Sequence, residues 1–69
     1  MTNIRDTKEY KELTPYLATG YAEGFEEAES DIQVLASWQY LHDTGMAYSL
    51  QGWFGRTAQH LINEGIIEA

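Results

Sequence analysis

The chain has 69 residues, no cysteine and a formal charge of −7. That length allows one small domain, which buries a modest share of its surface and has to find stability in dense packing, a metal or a second subunit. The absence of cysteine excludes disulfides and thiolate zinc sites. No run approaches the roughly 18 apolar residues of a membrane span, and the polar start Met1-Thr2-Asn3-Ile4-Arg5-Asp6 lacks the apolar segment of a signal peptide, so a soluble cytosolic protein is expected.

Residues 1–24 read as a short helix or an ordered arm. Asp6 can cap a short helix through Leu13, with Glu9 completing a capping box. Thr14-Pro15 reads as a fresh start, with Thr14 as cap and Pro15 at the first helical position. Tyr16, Leu17 and Tyr21 would then pack on the later helices, although Gly20 and Gly24 weaken the segment.

The next element runs from about 25 to 43. At about 100° per residue, Ala28, Ile32, Leu35, Trp38 and Leu41 share one face, while Glu26, Glu29, Gln33, Ser37 and Asp43 take the other. The pattern is that of an amphipathic helix. Ser30 and Gln33 form a possible capping box, so a start near Asp31 is the alternative.

A second helix is predicted over about 46 to 64. Met46, Ala47, Leu50, Trp53, Phe54, Thr57, Ala58, Leu61 and Ile62 fill one half of its wheel. The stripe stays in phase across Gly52 and Gly55, which favours one helix. Each glycine costs about 1 kcal/mol relative to alanine, so a break at Gln51-Gly52 is the alternative. Leu41-His42-Asp43-Thr44-Gly45-Met46 and Leu61-Ile62-Asn63-Glu64-Gly65-Ile66 have one form: glycine just past the helix end, then an apolar residue that can touch the leucine behind it. This is the Schellman pattern. The fold expected is all-α, an antiparallel helical hairpin with almost no loop at Thr44-Gly45.

Few residues suggest chemistry. His42 beside Asp43, and His60, lie on different predicted helices without metal-ligand spacing, and read as ordinary surface or boundary residues. Ser37, Ser49 and Thr57 carry no nucleophile motif, and Gly52 and Gly55 follow no strand as a nucleotide loop would. No enzyme activity, cofactor or metal is expected. Gly52 and Gly55 fall on one side of the wheel with Tyr48 and Gln59, leaving a shallow groove edged by Trp53, Phe54 and Arg56. Glycine within a helix suggests close backbone approach. The groove would be filled by residues 1–24, by a second subunit or by a foreign partner, and Trp, Tyr and Arg dominate binding hot spots. A second candidate surface is acidic: Glu23, Glu26, Glu27, Glu29 and Asp31 lie together without a base. Such a run repels nucleic acid and anionic membrane and attracts basic partners. Arg56 is alone as a base near the second helix, which argues against direct nucleic-acid binding.

Read as a unit, Trp38-Gln39-Tyr40-Leu41-His42-Asp43-Thr44-Gly45, then Leu50-Gln51-Gly52-Trp53-Phe54-Gly55-Arg56-Thr57-Ala58, then Leu61-Ile62 and Gly65, resembles a family of short bacteriophage proteins without assigned function. His42 departs from the apolar or acidic residue usual in that family. The resemblance implies a viral product in the bacterial host cytoplasm, and supplies no catalytic or binding residues. Small acidic phage proteins often occlude a surface on a host protein, including defence systems in the manner of anti-CRISPR proteins, and some mimic DNA. The expected function is therefore a binding module that inhibits or redirects a host protein. A DNA mimic and a structural or accessory phage protein are the alternatives. Trp38, Trp53 and Phe54 need more cover than one partner helix gives, so a homodimer forming a four-helix bundle is expected.

Overall fold

Residues 3–69 are described by a computed structural model, and all regular structure among them is helical. The Asn3 side chain accepts a hydrogen bond from the Arg5 N–H at 2.8 Å, which starts a 3-10 turn over Ile4–Asp6. Helix α1 is Lys8–Lys11. Its cap is Thr7, whose hydroxyl accepts from the Tyr10 N–H at 3.2 Å, and not Asp6 as expected. Asp6 lies inside the 3-10 turn, whereas Thr7 has the extended backbone that a capping residue needs.

Helix α2, Pro15–Glu23, starts as the sequence indicates. The Thr14 hydroxyl accepts from the Leu17 N–H at 3.2 Å, and Pro15 fills the first turn. It stops at Gly24, whose φ of 87° puts it in the left-handed region and whose N–H donates to the Gly20 carbonyl at 2.9 Å. Ala18 faces the core and Gly20 is buried. Tyr16 does not pack inward as expected and is 74% exposed. Two residues turn a helix by about 200°, so Tyr16 lies opposite Ala18, on the face where Gly20 is covered by the Glu26 stem.

Helix α3 is Asp31–Asp43, so the later of the two possible starts is the one adopted. The Ser30 hydroxyl accepts from the Gln33 N–H at 3.3 Å, and the Gln33 side chain reaches back to accept from the Glu29 N–H at 2.7 Å. Residues 25–30 are not helical. The αL turn at Gly24 and this reciprocal cap together use up the segment that the longer helix would have claimed.

α3 is the central element, packed by α2, α1, both 3-10 turns and α4. Its buried residues, Ala36, Ser37, Trp38, Gln39 and Leu41, run through nearly every direction of the wheel. Ser37 and Gln39 are therefore fully buried although polar. The Ser37 hydroxyl is satisfied by the Gln33 carbonyl at 2.7 Å. Ile32, on the apolar stripe but in the first turn, is 48% exposed.

The two glycine stops both form. Gly65 (φ 73°) completes a Schellman motif: its N–H donates to the Ile62 carbonyl at 3.0 Å and the Ile66 N–H to the Leu61 carbonyl at 2.9 Å. Gly45 (φ 80°) makes only the inner bond, to His42 at 3.1 Å. The Met46 N–H turns instead to the Thr44 hydroxyl at 3.4 Å. The turn is consequently not loopless. Met46–Tyr48 form a 3-10 turn, Gln51 is extended (φ −56°, ψ 148°), and helix α4 is Gly52–Asn63. The continuous second helix gives way to a break at Gln51-Gly52, which moves Gly52 to the helix start, where its conformational cost is least.

The core comprises Ala18, Trp38, Leu41, Ala47, Phe54, Ala58 and Ile67. Trp53 stacks on Phe54 with centroids 4.0 Å apart, and Trp38 meets Trp53 edge-on at 6.0 Å. Trp38 and Phe54 are covered within this cluster by Ala18 of α2, Ala47 of the second 3-10 turn and Ile67 near the C-terminus.

Candidate functional site

The expected groove on α4 is occupied by the chain itself. The Tyr48 ring lies over Gly55, where an added Cβ would sit 3.3 Å from Tyr48 Cδ1 and 3.5 Å from the Ala47 carbonyl. The glycine thus admits a side chain from the preceding turn. Tyr48 is held there by its hydroxyl, which lies 2.6 Å from His42 Nδ1 and accepts from Gln59 Nε2 at 2.7 Å. Phe54, expected at the groove edge, is a core residue, because the face that carries it turns towards Trp38. Trp53 is half-buried against the same cluster and donates from Nε1 to Gln51 at 3.2 Å. Gly52 and Arg56 remain exposed, with the guanidinium standing over the glycine. His60 is exposed on the same helix, away from His42.

A second group ties Arg5, Tyr10 and Glu68 to α3, and of its members the sequence pointed only to Asp43, as the neighbour of His42. Asp43 accepts from Arg5 Nε and a terminal Arg5 nitrogen, each at 2.8 Å, from the Tyr10 hydroxyl at 2.8 Å and from Gln39 Nε2 at 3.0 Å. Arg5 also reaches Glu68 at 3.1 Å. The Arg5 hydrogen bond, opposed by partial burial, holds the Asp43 carboxyl below its ordinary range, and Asp43 in turn raises Arg5. Burial, then the bond to Asp43, pushes Tyr10 up to about 12. These groups satisfy one another, and their chemistry is that of a clamp: a carboxylate held ionised by four donors is a poor proton carrier. Among the described residues, no group of three or more His, Asp or Glu side chains is placed to hold a metal ion.

An open cleft lies elsewhere. Pro15, Tyr16, Thr19, Gly20 and Glu23 of α2, Phe25 and Glu26 beyond it, and Met46 of the second 3-10 turn line a cleft of about 710 Å³. Phe25 is 84% exposed, the highest of the large apolar residues. Glu26 is fixed against α2. Its N–H donates to the Gly20 carbonyl at 3.2 Å, and a Cβ on Gly20 would lie 2.6 Å from Glu26 Cγ. Gly20 is therefore glycine because the Glu26 stem crosses it. The Tyr16 hydroxyl donates to Glu26 Oε1 at 3.4 Å. Of the expected acidic surface, Glu23 and Glu26 border this cleft, while Glu27, Glu29 and Asp31 are exposed and do not line it.

A family described as a domain of unknown function (DUF7417) matches residues 22–69, more than half of the chain. The chain belongs to the DUF7417 family. The DUF7417 match covers the loop with Phe25 and Glu26, all of α3 and α4, and the C-terminal residues that close on Gln39. It leaves out Tyr16, Arg5 and Tyr10, so both the cleft and the clamp combine DUF7417 residues with the segment before them. No curated protein and no solved structure matches this DUF7417 chain.

Proposed function

We propose that the protein is a small acidic binding module, encoded by a bacteriophage and active in the host cytoplasm, that inhibits or redirects a host protein, with defence systems among the targets. The observation that supports this reading is the cleft: two aromatic side chains stand in solvent at an apolar hollow, edged by acids. Exposed apolar patches rimmed by polar groups mark interaction sites. Tagged protein in host lysate should recover a stoichiometric partner, and its expression should change host growth or the course of infection. Failure of both would remove the reading and favour a structural or accessory phage role. Arg56→Ala tests the second surface, on α4. Trp53 is unsuited to that purpose because it also packs the core.

A DNA mimic is the second reading, and the exposure of Glu27, Glu29 and Asp31 is what favours it. These three do not line the cleft. Glu27→Gln with Glu29→Gln should abolish partner binding if charge mimicry is the mechanism, and should leave it nearly intact if the cleft is.

A further inference from the structure

We infer that the cleft between α2, residues 25–26 and Met46 receives a cationic segment of a partner protein, with one apolar side chain seated on Tyr16, Phe25 and Met46 and a flanking Lys or Arg paired to Glu26 and Glu23. The inference rests on the protein-binding reading and specifies its site and the chemistry of its occupant.

The hollow is the right size. About 710 Å³ lies in the range of ligand-binding clefts and accommodates a large side chain with the stem of a neighbouring one. Its floor is preorganised, since Pro15 starts α2 and the Glu26 backbone is bonded to Gly20. Rigid placement lowers the ordering cost of binding. Aromatic faces beside carboxylates suit cations in particular, because ring quadrupole and carboxylate attract the same charge.

Charge selects among occupants. Glu23 and Glu26 border the hollow, Glu27, Glu29 and Asp31 are exposed on the residues that follow, and the stretch from 23 to 31 carries no base. Nucleic acid and anionic lipid are repelled by such a rim. A second copy brings a net charge of −7 to it, so the approach of two copies at this face is opposed by their like charge. A Lys- or Arg-bearing segment of another protein meets both demands.

The test is a titration of isotopically labelled full-length protein with a capped nine-residue peptide alternating Lys with Phe and Leu, followed by amide chemical shifts. Shifts concentrated at residues 15–26 and Met46 are expected, with affinity falling steeply as salt rises. Phe25→Ala should weaken binding about tenfold, as expected for an anchor residue, and Glu26→Gln should weaken it less while flattening the salt dependence. Both side chains lie at the surface, and unchanged shifts for α3 and α4 will certify the fold. The proposal is overturned by no binding, by shifts centred on α4, by equal binding of the peptide with Glu in place of Lys, or by a Phe25-dependent dimer in sedimentation. A host partner captured equally by wild type and Phe25→Ala also overturns it, while leaving the protein-binding reading in place. Peptide binding at the cleft without any host partner supports the site and removes the wider reading.

Discussion

Gln39 pairs with the backbone of Glu68 as a neighbouring strand would: its Nε2 donates to the Glu68 carbonyl at 2.8 Å, and its Oε1 accepts from the Glu68 N–H at 2.7 Å. The same Nε2 donates to Asp43, so one fully buried amide joins the middle of α3, its end and the C-terminus. Ile67, next to Glu68, is drawn into the core by this pairing.

Gln39→Leu keeps most of the volume and removes these bonds. It should cost about 1 to 3 kcal/mol, because the Glu68 backbone groups lose their partners. Gln39→Glu should cost more, since it sets a second carboxylate against Asp43. Urea unfolding measures both, and a Gln39→Leu protein as stable as wild type would remove this role for the amide.

Acid should loosen the clamp. Asp43 has a folded pKa below its unfolded value, owing first to Arg5 and then to Tyr10 and Gln39. Its contribution is therefore complete above the ordinary aspartate value of about 4 and is lost as pH falls through the lower folded value. Asp43→Asn should be less stable at neutral pH and should show a flatter decline below pH of about 4. Parallel acid limbs for the two proteins would contradict the assignment.

Tyr10 acts at the opposite end of the scale. Its pKa is pushed up to about 12 by burial and then by the hydrogen bond to Asp43, so the fold favours the neutral phenol. That stability is complete below the unfolded value of about 10 and is lost as pH rises from there through the folded value. Tyr10→Phe should lose the Asp43 bond at neutral pH yet resist alkaline unfolding better than wild type, relative to its own neutral stability. Circular dichroism from pH 8 upward reads the difference.

The glycines divide into two kinds. Gly45 and Gly65 have positive φ with no atom near enough to obstruct a Cβ. Alanine at either should cost about 1 to 2 kcal/mol for backbone strain alone. Gly55 is helical and covered by Tyr48. Gly55→Ala should gain helix propensity of about 1 kcal/mol and lose part of it to displacement of the ring. Thermal unfolding should therefore place Gly55→Ala well above the other two, and equal losses at all three positions would sink the distinction.

The elements legible in the sequence are those closed by nearby bonds. Ser30 with Gln33, Thr14 with Pro15, and the glycine stops at 45 and 65 act within about four residues, so their residue types alone identify them. The apolar half of α4 was legible for the same reason, its period being local. The wheel of α3 misplaced Ser37 because a helix wrapped on several sides has no solvent face at its centre.

Sequence alone thus determined an all-helical chain, where α3 and α4 stop, and a strong negative charge along 23–31. Tertiary structure decided the rest: the break before Gly52, the ring of Tyr48 over Gly55, the hold of Arg5 on Asp43, and the hollow between Tyr16, Phe25 and Met46. The physical reason is distance along the chain. Arg5 and Asp43 are 38 residues apart and Gln39 and Glu68 are 29 apart, so no local pattern of residues encodes their meeting. Those contacts exist because α3 lies at the centre, and its central place results from how all the other elements bury their apolar faces at once.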